Sequence, residues 1–347
     1  MRIAVDITHP AHFHFFKHAI RTWIESGDEV LVLSRDKDLT LNLLDEAGMR
    51  HICLSRAGKG LAGLAFEYVK HSFGVFQALR RHQTQVVIAI GGTFIVAAAG
   101  MRRIPALVFY DTENAVLSNR ITYPLATRIY TPRSYRSDLG AKQFRYNGFQ
   151  ELAYLHPRRF QASTARLSDA GITIGEPFTF IRLVAWNSHH DVGDFGVRDP
   201  QHVVERLAAH GRVVISSEAP LPTSLKPYAL PSKISDVHHV LAFAKLTFGE
   251  SATMASEGAQ LGVPGIFLST SSRGYTDELQ DRYQMVFNFN GRQAIEEQAL
   301  ACAESILSDP SAPDTFHQRW KKMLDEQSDV TQIILDAVAE HVPENQS

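Results

Sequence analysis

The sequence contains little cysteine. Its 347 residues include only Cys53 and Cys302, which lie far apart and outside any metal-binding or redox spacing. This scarcity excludes a disulfide framework and cysteine-based metal or redox centres, and it predicts a reducing compartment, the cytoplasm. No signal peptide is visible, because residues 2–7 are typical of a strand and include Asp6.

A large excess of charge is also absent. Lysine and arginine total 35 and aspartate and glutamate 37, a formal net charge of −2, so no overall basic field favours nucleic acid. The main apolar run, residues 86–101, is too short for a comfortable membrane span. One segment, 120–166, holds nine Lys or Arg against Asp138 and Glu151. It is typical of a solvated face; the alternative is attraction of an anionic acceptor or anionic lipid, with peripheral contact at the inner membrane face.

Several nucleotide and catalytic motifs are missing. No G-x-G-x-x-G follows the first strand, so the dinucleotide fingerprint is absent. The segment around Ser251 lacks the second glycine of a nucleophile elbow, which excludes a hydrolase of that type. Asp36-Lys37-Asp38 matches D-x-D, but it follows the second strand at a helix start, where N-capping explains it. We therefore predict no metal ion and no other cofactor.

Strand and helix patterns alternate along almost the whole chain. Such alternation predicts parallel sheets covered by helices. The pattern pauses near residues 155–159 and then resumes, which predicts two Rossmann-like, doubly wound α/β domains that face a central cleft. We expect an N-terminal domain over 1–155 and a C-terminal domain over 156–347 that ends in a helical region. The predicted strands cover residues 2–7, 29–34, 50–54, 86–90, 105–110, 127–131, 177–186, 212–217, 244–248, 264–268 and 285–287.

Three histidines follow the first strand. His9, His12 and His14 lie at the start of an amphipathic helix, and the loop is at the carboxyl end of its strand, where open α/β sheets bind ligands. Histidines in such a loop serve as metal ligands, acid–base groups or helix caps. Because only Asp6 lies nearby as an acidic ligand, a general base is the best functional interpretation.

A second loop suits a phosphate. Apolar residues 244–248 run into Gly249-Glu250-Ser251, and a helix follows, with Ser251 or Thr253 as its N-cap. Free backbone N–H groups at a positive helix end attract anions. Glu257 lies one turn into this helix, where its carboxylate can accept hydrogen bonds from ribose hydroxyls. The simpler interpretation is an ordinary strand–loop–helix turn with an exposed glutamate.

Three further charged residues lie after or within predicted strands. Asp111 and Glu113 follow a buried strand, so two carboxylates face the predicted cleft; helix N-capping by Asp111 or Thr112 explains the segment equally well. Arg182 lies inside an apolar strand, where a charge is rarely left unpaired. A salt bridge is the better interpretation and a diphosphate contact the second.

Four separated motifs together resemble one known family. The motifs are Asp6-Ile7-x-His9-Pro10-Ala11-His12, Asp111-x-Glu113-Asn114-Ala115, Val184-Ala185-Trp186-x-x-x-His190-Asp191 and Gly249-x-x-x-Thr253-Met254-Ala255-x-Glu257-x-Ala259-x-Leu261-Gly262-x-Pro264. With them the chain resembles, over nearly its whole length, the family catalogued as domain of unknown function 354, which in turn is similar to GT-B glycosyltransferases and to the UDP-N-acetylglucosamine 2-epimerases that share their fold.

This resemblance implies a nucleotide-diphosphate sugar as the substrate. It implies a metal-independent glycosyltransferase of cell-surface polysaccharide or glycoconjugate synthesis, with an acceptor that is lipid-linked or anionic. His12 is the implied general base; Asp111 and Glu113 are further catalytic candidates because their carboxylates face the predicted cleft. The donor or acceptor would be bound by His9, Arg182, Ser251, Thr253 and Glu257. A nucleotide-sugar 2-epimerase and a non-catalytic nucleotide-sugar binding protein are the alternatives.

Overall fold

The computed structural model describes residues 1–58, 60–111, 116–184, 196–231, 237–291 and 295–342. The chain divides into two compact units. Unit 1 comprises residues 1–159 and the chain from Ser328 onward, and unit 2 comprises Phe160–Gln327. The sequence placed the division between 155 and 156 and gave the whole C-terminal region to the second domain. The structure differs because the last helix packs on unit 1.

Unit 1 is built on a seven-stranded parallel sheet in the order β3-β2-β1-β4-β5-β6-β7. Its elements are β1 (Arg2–Ile7), α1 (Pro10–Glu25), β2 (Glu29–Asp36), α2 (Thr40–Glu46), β3 (His51–Arg56), α3 (Gly60–His82), β4 (Val86–Ile90), α4 (Val96–Met101), β5 (Ala106–Phe109), α5 (Val116–Leu125), β6 (Arg128–Pro132), a 3-10 turn (Gly140–Lys142), β7 (Gln143–Tyr146) and α6 (Leu152–Leu155).

The central strands are apolar on both faces, as a sheet covered by helices requires. Ile3, Val5 and Ile7 of β1 are fully buried, and so are most side chains of β4 and β5. Helix α1 begins at Pro10, which favours the first helical position because its missing N–H would have no partner there. It covers the sheet with Phe13, Phe16 and other apolar side chains at helical spacing.

Unit 2 is built on a five-stranded parallel sheet in the order β12-β11-β10-β8-β9. Its elements are α7 (Ala165–Asp169), β8 (Phe178–Leu183), α8 (Pro200–Ala208), β9 (Arg212–Ser217), a 3-10 turn (Lys226–Tyr228), α9 (Val237–Leu241), β10 (Leu246–Gly249), α10 (Ala252–Gln260), β11 (Gly265–Ser269), α11 (Gly274–Asp281), β12 (Val286–Asn290), α12 (Ile295–Ser308) and α13 (Ala312–Glu326). The expected pair of doubly wound α/β domains is therefore confirmed.

The last helix, α14 (Val330–His341), returns to unit 1 and packs on α1 and α6. Asp329 caps its N-terminus and also pairs with Arg159 at 2.9 Å. The Thr331 hydroxyl donates to the carbonyl of Ala153 at 2.6 Å. Apolar side chains of α14, including Ile334 and Val338, are fully buried, so this helix completes the core of unit 1. Among the described helices, none is both long and apolar enough to cross a membrane.

Candidate functional site

In unit 1 the strand order reverses between β1 and β4, which lie side by side. Loops diverge at such a switch point and leave a crevice at the carboxyl ends of the strands. The loop after β1 carries the histidines, and the loop after β4 carries Gly91 and Gly92. Both glycines have positive φ, and a Cβ on Gly92 would lie 2.8 Å from a methyl carbon of Val108. Only glycine fits this second loop without strain.

His12 lies in the first turn of α1 with its imidazole turned back towards β1. Its Nδ1 lies 3.4 Å from both the backbone nitrogen and the hydroxyl oxygen of Thr8. Burial, followed by the nearby His9, lowers the pKa of His12 to about 3. At this pKa the imidazole is neutral at pH 7, and burial is the main cause of the shift. Sequence reasoning missed this contact between Thr8 and His12.

The other two histidines of this loop have structural contacts. His9 is the N-cap of α1, and its Nδ1 accepts a hydrogen bond from the Ala11 amide at 3.2 Å. The ring of His14 lies 5.4 Å from that of Tyr154 in α6. His9 thus acts as the helix cap that the sequence offered as one interpretation; its assignment to substrate binding stays a prediction.

The carboxylate of Asp111 follows β5 at the same edge of the sheet and is partly exposed. Burial, followed by the charges of Asp111 and Glu151, raises the pKa of Tyr146 well above its usual range. Asp111 therefore lies within electrostatic reach of a buried tyrosine hydroxyl. Its predicted partner Glu113 lies outside the described residues, as does the motif from Ala185 to Asp191.

The D-x-D segment does not cap a helix. Leu39 occupies the N-cap of α2 and makes no side-chain capping hydrogen bond, so the N-capping explanation from the sequence is wrong. Asp36 instead accepts a hydrogen bond from Arg56 on the neighbouring strand at 2.8 Å. Asp38 has a φ of 50°, and its carboxylate lies 3.8 Å from His9 Nε2. Within the described residues, no three histidine, cysteine or acidic side chains are placed to share a metal ion.

A buried charged network below the histidine loop was not predicted. Glu67 of α3 receives two hydrogen bonds from the Arg35 guanidinium, at 2.6 and 2.7 Å. It also accepts from the Ser55 hydroxyl and the Gly58 amide, each at 2.9 Å. Burial disfavours the Glu67 anion, but these hydrogen bonds outweigh burial and lower its pKa to about 2.

The network continues towards β1. Because the Ser55 hydroxyl donates to Glu67, its oxygen accepts from Nδ1 of His71 at 2.7 Å. Nε2 of His71 faces the carboxylate of Asp6 at 3.6 Å, and both side chains are buried. The network thus runs from β2 through β3 and α3 to Asp6 in β1, two residues before the histidine loop begins at Thr8. A charged residue inside the apolar β1 strand was the available signal.

In unit 2 the switch point lies between β8 and β10, where the sequence predicted the donor loop. Gly249 ends β10 with φ of 149°, and a Cβ there would lie 2.1 Å from the carbonyl oxygen of Arg182. Only glycine permits this close approach of two backbones. The next residue, Glu250, is buried and accepts from the amides of Val184 at 2.9 Å and Val197 at 2.7 Å. Sequence reasoning missed this second role of the loop.

Ser251 is the N-cap of α10, and its hydroxyl accepts from the Met254 amide at 3.2 Å. The sequence left the cap open between Ser251 and Thr253, and the structure resolves it in favour of Ser251. Thr253 is exposed in the first turn of α10. A nine-residue helix with an exposed first-turn hydroxyl thus begins at the switch point, the arrangement that suits an anion.

Glu257 is buried in α10, so the simpler interpretation of an exposed glutamate is wrong. Its Oε1 accepts a hydrogen bond from Nε2 of His238 in α9 at 2.8 Å, and His238 is also buried. The pair links two helices through groups 19 residues apart. A buried carboxylate whose position is fixed by histidine is preorganised to accept hydrogen bonds.

Arg182 forms the salt bridge that the sequence favoured. Its guanidinium donates to Glu218 at 2.7 Å and to the Ser216 hydroxyl at 2.7 Å. Its buried Nε has no hydrogen-bond partner. Arg182 also lines a cavity of about 10 Å³ with Gly249 and Ser251, room for about one water molecule.

The cations of the basic segment are largely engaged in local structure. Lys142 donates to the carbonyl of Pro124 at 2.7 Å, and Arg145 donates to the carbonyls of Tyr135 and Ser137. Arg159 pairs with Asp329. These contacts agree with the simpler interpretation of the segment as a structural, solvated face.

Comparison with known proteins identifies the relatives of this chain. The family model described as "Protein of unknown function (DUF354)" matches residues 1–342. An uncharacterized protein of Methanocaldococcus jannaschii, MJ0665, is 23% identical over 273 residues, which cover 76% of this chain and 80% of that protein.

Solved structures share the fold across the whole chain. The UDP-GlcNAc 2-epimerase of Neisseria meningitidis, solved with UDP-GlcNAc bound, has a TM-score of 0.70 at 10% identity, covering 98% of this chain and 100% of its own. MurG of Acinetobacter baumannii has a TM-score of 0.63 at 14% identity, with coverage of 98% and 100%. The fold is therefore the one that GT-B glycosyltransferases and UDP-GlcNAc 2-epimerases share, as the sequence predicted.

Proposed function

The chain belongs to the DUF354 family, and from this premise we propose that it is a metal-independent glycosyltransferase with a nucleotide-diphosphate sugar as donor. The observation that carries the proposal is the switch point of unit 2. There Gly249 permits a close approach of two backbones, and Ser251, two residues later, caps the N-terminus of α10. This arrangement offers backbone N–H groups and a positive helix end to a diphosphate.

The donor would be held by groups of α10. Ser251 and Thr253 stand at its N-terminus, where the diphosphate would bind. Glu257, held by His238 at Oε1, would accept hydrogen bonds from ribose hydroxyls; because it is buried, its surroundings must open for the donor. Arg182 would add positive charge while paired with Glu218.

The transfer step would use His12 of unit 1. The acceptor hydroxyl oxygen forms a bond to the anomeric carbon, the bond from that carbon to the diphosphate oxygen breaks, and the nucleoside diphosphate leaves with the electron pair. His12 takes the proton of the acceptor hydroxyl. With a pKa lowered to about 3, the His12 imidazole is neutral at pH 7 and so in the proton-accepting form, but it is a weaker base than an ordinary histidine, so the transfer step must itself favour the protonated ring. The leaving diphosphate would be stabilised by the helix N-terminus.

A nucleotide-sugar 2-epimerase is the second candidate. Proteins named UDP-GlcNAc 2-epimerase are among the structural relatives, one with UDP-GlcNAc bound. Inverting a carbon centre requires acid–base groups, and Asp111 supplies a partly exposed carboxylate at the switch-point edge of unit 1. An epimerase would yield an isomer of the nucleotide sugar without any acceptor.

One experiment separates these functions. The full chain is screened by thermal shift against nucleotide sugars, because specific binding stabilises the folded state by mass action. Each stabilising compound is then incubated with the protein, and chromatography measures nucleoside diphosphate release, transfer and isomer formation. Release or transfer supports the transferase, an isomer supports the epimerase, and stabilisation without turnover supports a non-catalytic binding protein. Absence of any stabilisation would contradict all three.

Replacing Glu257 tests the donor site. Glu257→Gln keeps the shape of the side chain and an oxygen for His238, but it removes the charge that the ribose hydroxyls would meet. We expect uridine diphosphate binding to weaken by roughly 1–3 kcal/mol, measured by calorimetric titration. Glu176→Gln is the matched control, since Glu176 pairs with Arg212 on the surface of the same unit. Unchanged affinity in a folded Glu257→Gln variant would remove Glu257 from the site.

Chelation tests the independence from metals. We expect turnover to persist in excess chelator, because helix N–H groups would stabilise the leaving diphosphate in place of a cation. The same chelator saturated beforehand with Mg²⁺ controls for effects unrelated to metal removal. Complete loss of turnover, with rescue by Mn²⁺ or Mg²⁺, would contradict this mechanism.

A further inference from the structure

Helix α3 exposes large apolar side chains on one side. Phe66, Val69 and Phe73 are 72%, 67% and 61% exposed. Their spacing of three and four residues places them on one face of the helix. Lys70 lies on the same face and is exposed. We call these four residues the α3 face.

The α3 face lies opposite the side that packs on unit 1. His71, Val75 and Leu79 are fully buried, and their helical positions oppose those of Phe66 and Phe73. The core is therefore complete without the α3 face. Surface apolar residues that stand alone need no explanation, but a contiguous group of this kind marks an interaction site.

The exposed charged side chains of α3 itself are all positive. The one acidic residue of α3 is Glu67, whose carboxylate is buried and bonded to Arg35. Further along the exposed side of the helix lie Arg80 and Arg81, both exposed.

The C-terminal end of α4 extends this surface. The guanidinium of Arg102 lies over the ring of Phe76 in α3 at 5.6 Å. The preceding residue, Met101, is 77% exposed. An apolar stripe is thus bordered by cations, without an exposed carboxylate on α3.

We propose that the α3 face docks unit 1 on an anionic lipid bilayer. Protruding aromatic side chains enter the headgroup–acyl boundary, and flanking cations meet the negative surface. A second copy of this chain is the poorer occupant. A two-fold contact brings each patch against itself, which would set Lys70 and the arginines of one copy against those of the other. The charge pattern therefore fits a negative surface.

Vesicle binding by the full chain tests this proposal. The protein is sedimented with vesicles of phosphatidylcholine alone and with vesicles that also contain phosphatidylglycerol. We expect binding to the anionic vesicles, weakened by added salt. Phe66→Ser and Phe73→Ser should each lower the partition coefficient by about tenfold, because each removes one buried phenyl group. Lys70→Glu should weaken binding to anionic vesicles and leave the uncharged vesicles unaffected.

Ile174→Ser is the matched control. Ile174 is 63% exposed, lies in unit 2 and is remote in sequence from α3; its replacement should leave vesicle binding unchanged. Sedimentation without lipid measures self-association in parallel. Absence of binding to anionic vesicles would overturn the proposal, as would equal loss of binding in Ile174→Ser. A dimer that Phe66→Ser and Phe73→Ser dissociate, without vesicle binding, would assign the α3 face to a second copy. Circular dichroism confirms that each variant is folded.

Discussion

Replacing His12 with alanine should reduce turnover by about 10²–10⁴-fold while donor affinity stays nearly intact, because only the proton-accepting group is lost. The imidazole is neutral because burial and His9 lower its pKa to about 3. In the neutral ring Nδ1 accepts from Thr8, so the hydrogen is on Nε2. At 3.4 Å these Thr8 contacts are long and weak. For His12 to act as the base, the acceptor hydroxyl would have to replace these contacts at Nδ1.

Controls for this variant come from the same loop. His9→Asn keeps an N-cap side chain on α1 and should leave turnover close to that of the parent protein if His9 serves as the cap. His14→Ala should act on stability through its lost contact with Tyr154. Steady-state kinetics with donor and acceptor, together with calorimetric donor titration, separate turnover from binding. Full turnover by His12→Ala would show that His12 is not the catalytic base, and the similarity to glycosyltransferases would then extend to the fold alone.

Replacing Glu67 with alanine should lower the free energy of unfolding of unit 1 by about 3–5 kcal/mol, because a buried ion pair loses one partner. Arg35, Ser55 and the Gly58 amide would all lose their acceptor. Scanning calorimetry is the measurement, since a chain of two units need not unfold in one step. Glu304→Ala is the control: its partner Arg206 is more exposed, so the cost should be about 0–1 kcal/mol. If Glu67→Ala and Glu304→Ala lowered the free energy of unfolding equally, burial of the Glu67–Arg35 pair could not be the reason for the larger expected loss.

The same carboxylate predicts how stability depends on pH. The pKa of Glu67 is lowered from 4.5 to about 2 in the folded chain. A lowered folded-state pKa gives a stabilising contribution that is fully present above about pH 4.5 and is lost as the pH falls towards 2. Calorimetry across this range should show a steeper acid loss in the parent protein than in Glu67→Gln. If stability fell equally with pH in the parent protein and in Glu67→Gln, the lowered pKa of Glu67 would not be the cause of the acid loss.

The sheets could be predicted because their strands are buried on both faces. β1, β4 and β9 coincide with or closely match their expected bounds, since continuous apolar runs between turn residues have few alternatives. β7 was not expected. It is a short edge strand in which Phe144 and Arg145 are exposed, so it has no apolar run to reveal it.

Those parts of the candidate site that depend on residues close together in the sequence could be predicted. The cap at Ser251 and the loop at His12 follow from a strand that ends where a helix begins. Pairings between distant residues were not predictable, because nothing in the sequence specifies which partner a buried charge finds. Arg182 was expected to pair because it stands in an apolar strand, and Glu218 is the partner. The pairing of Glu257 with His238 depends on how two helices pack.

The return of α14 to unit 1 determines the order in which the units can be completed during synthesis. The ribosome releases residues 160–327 before the chain from Ser328 onward, so unit 2 has all its strands while unit 1 still lacks a helix. Until then the faces of α1 and α6 that α14 covers stay exposed to water. Domains fold as units during synthesis, and the N-terminal one usually folds first. Here unit 1 emerges first from the ribosome but is completed last, because its final helix is synthesised after unit 2.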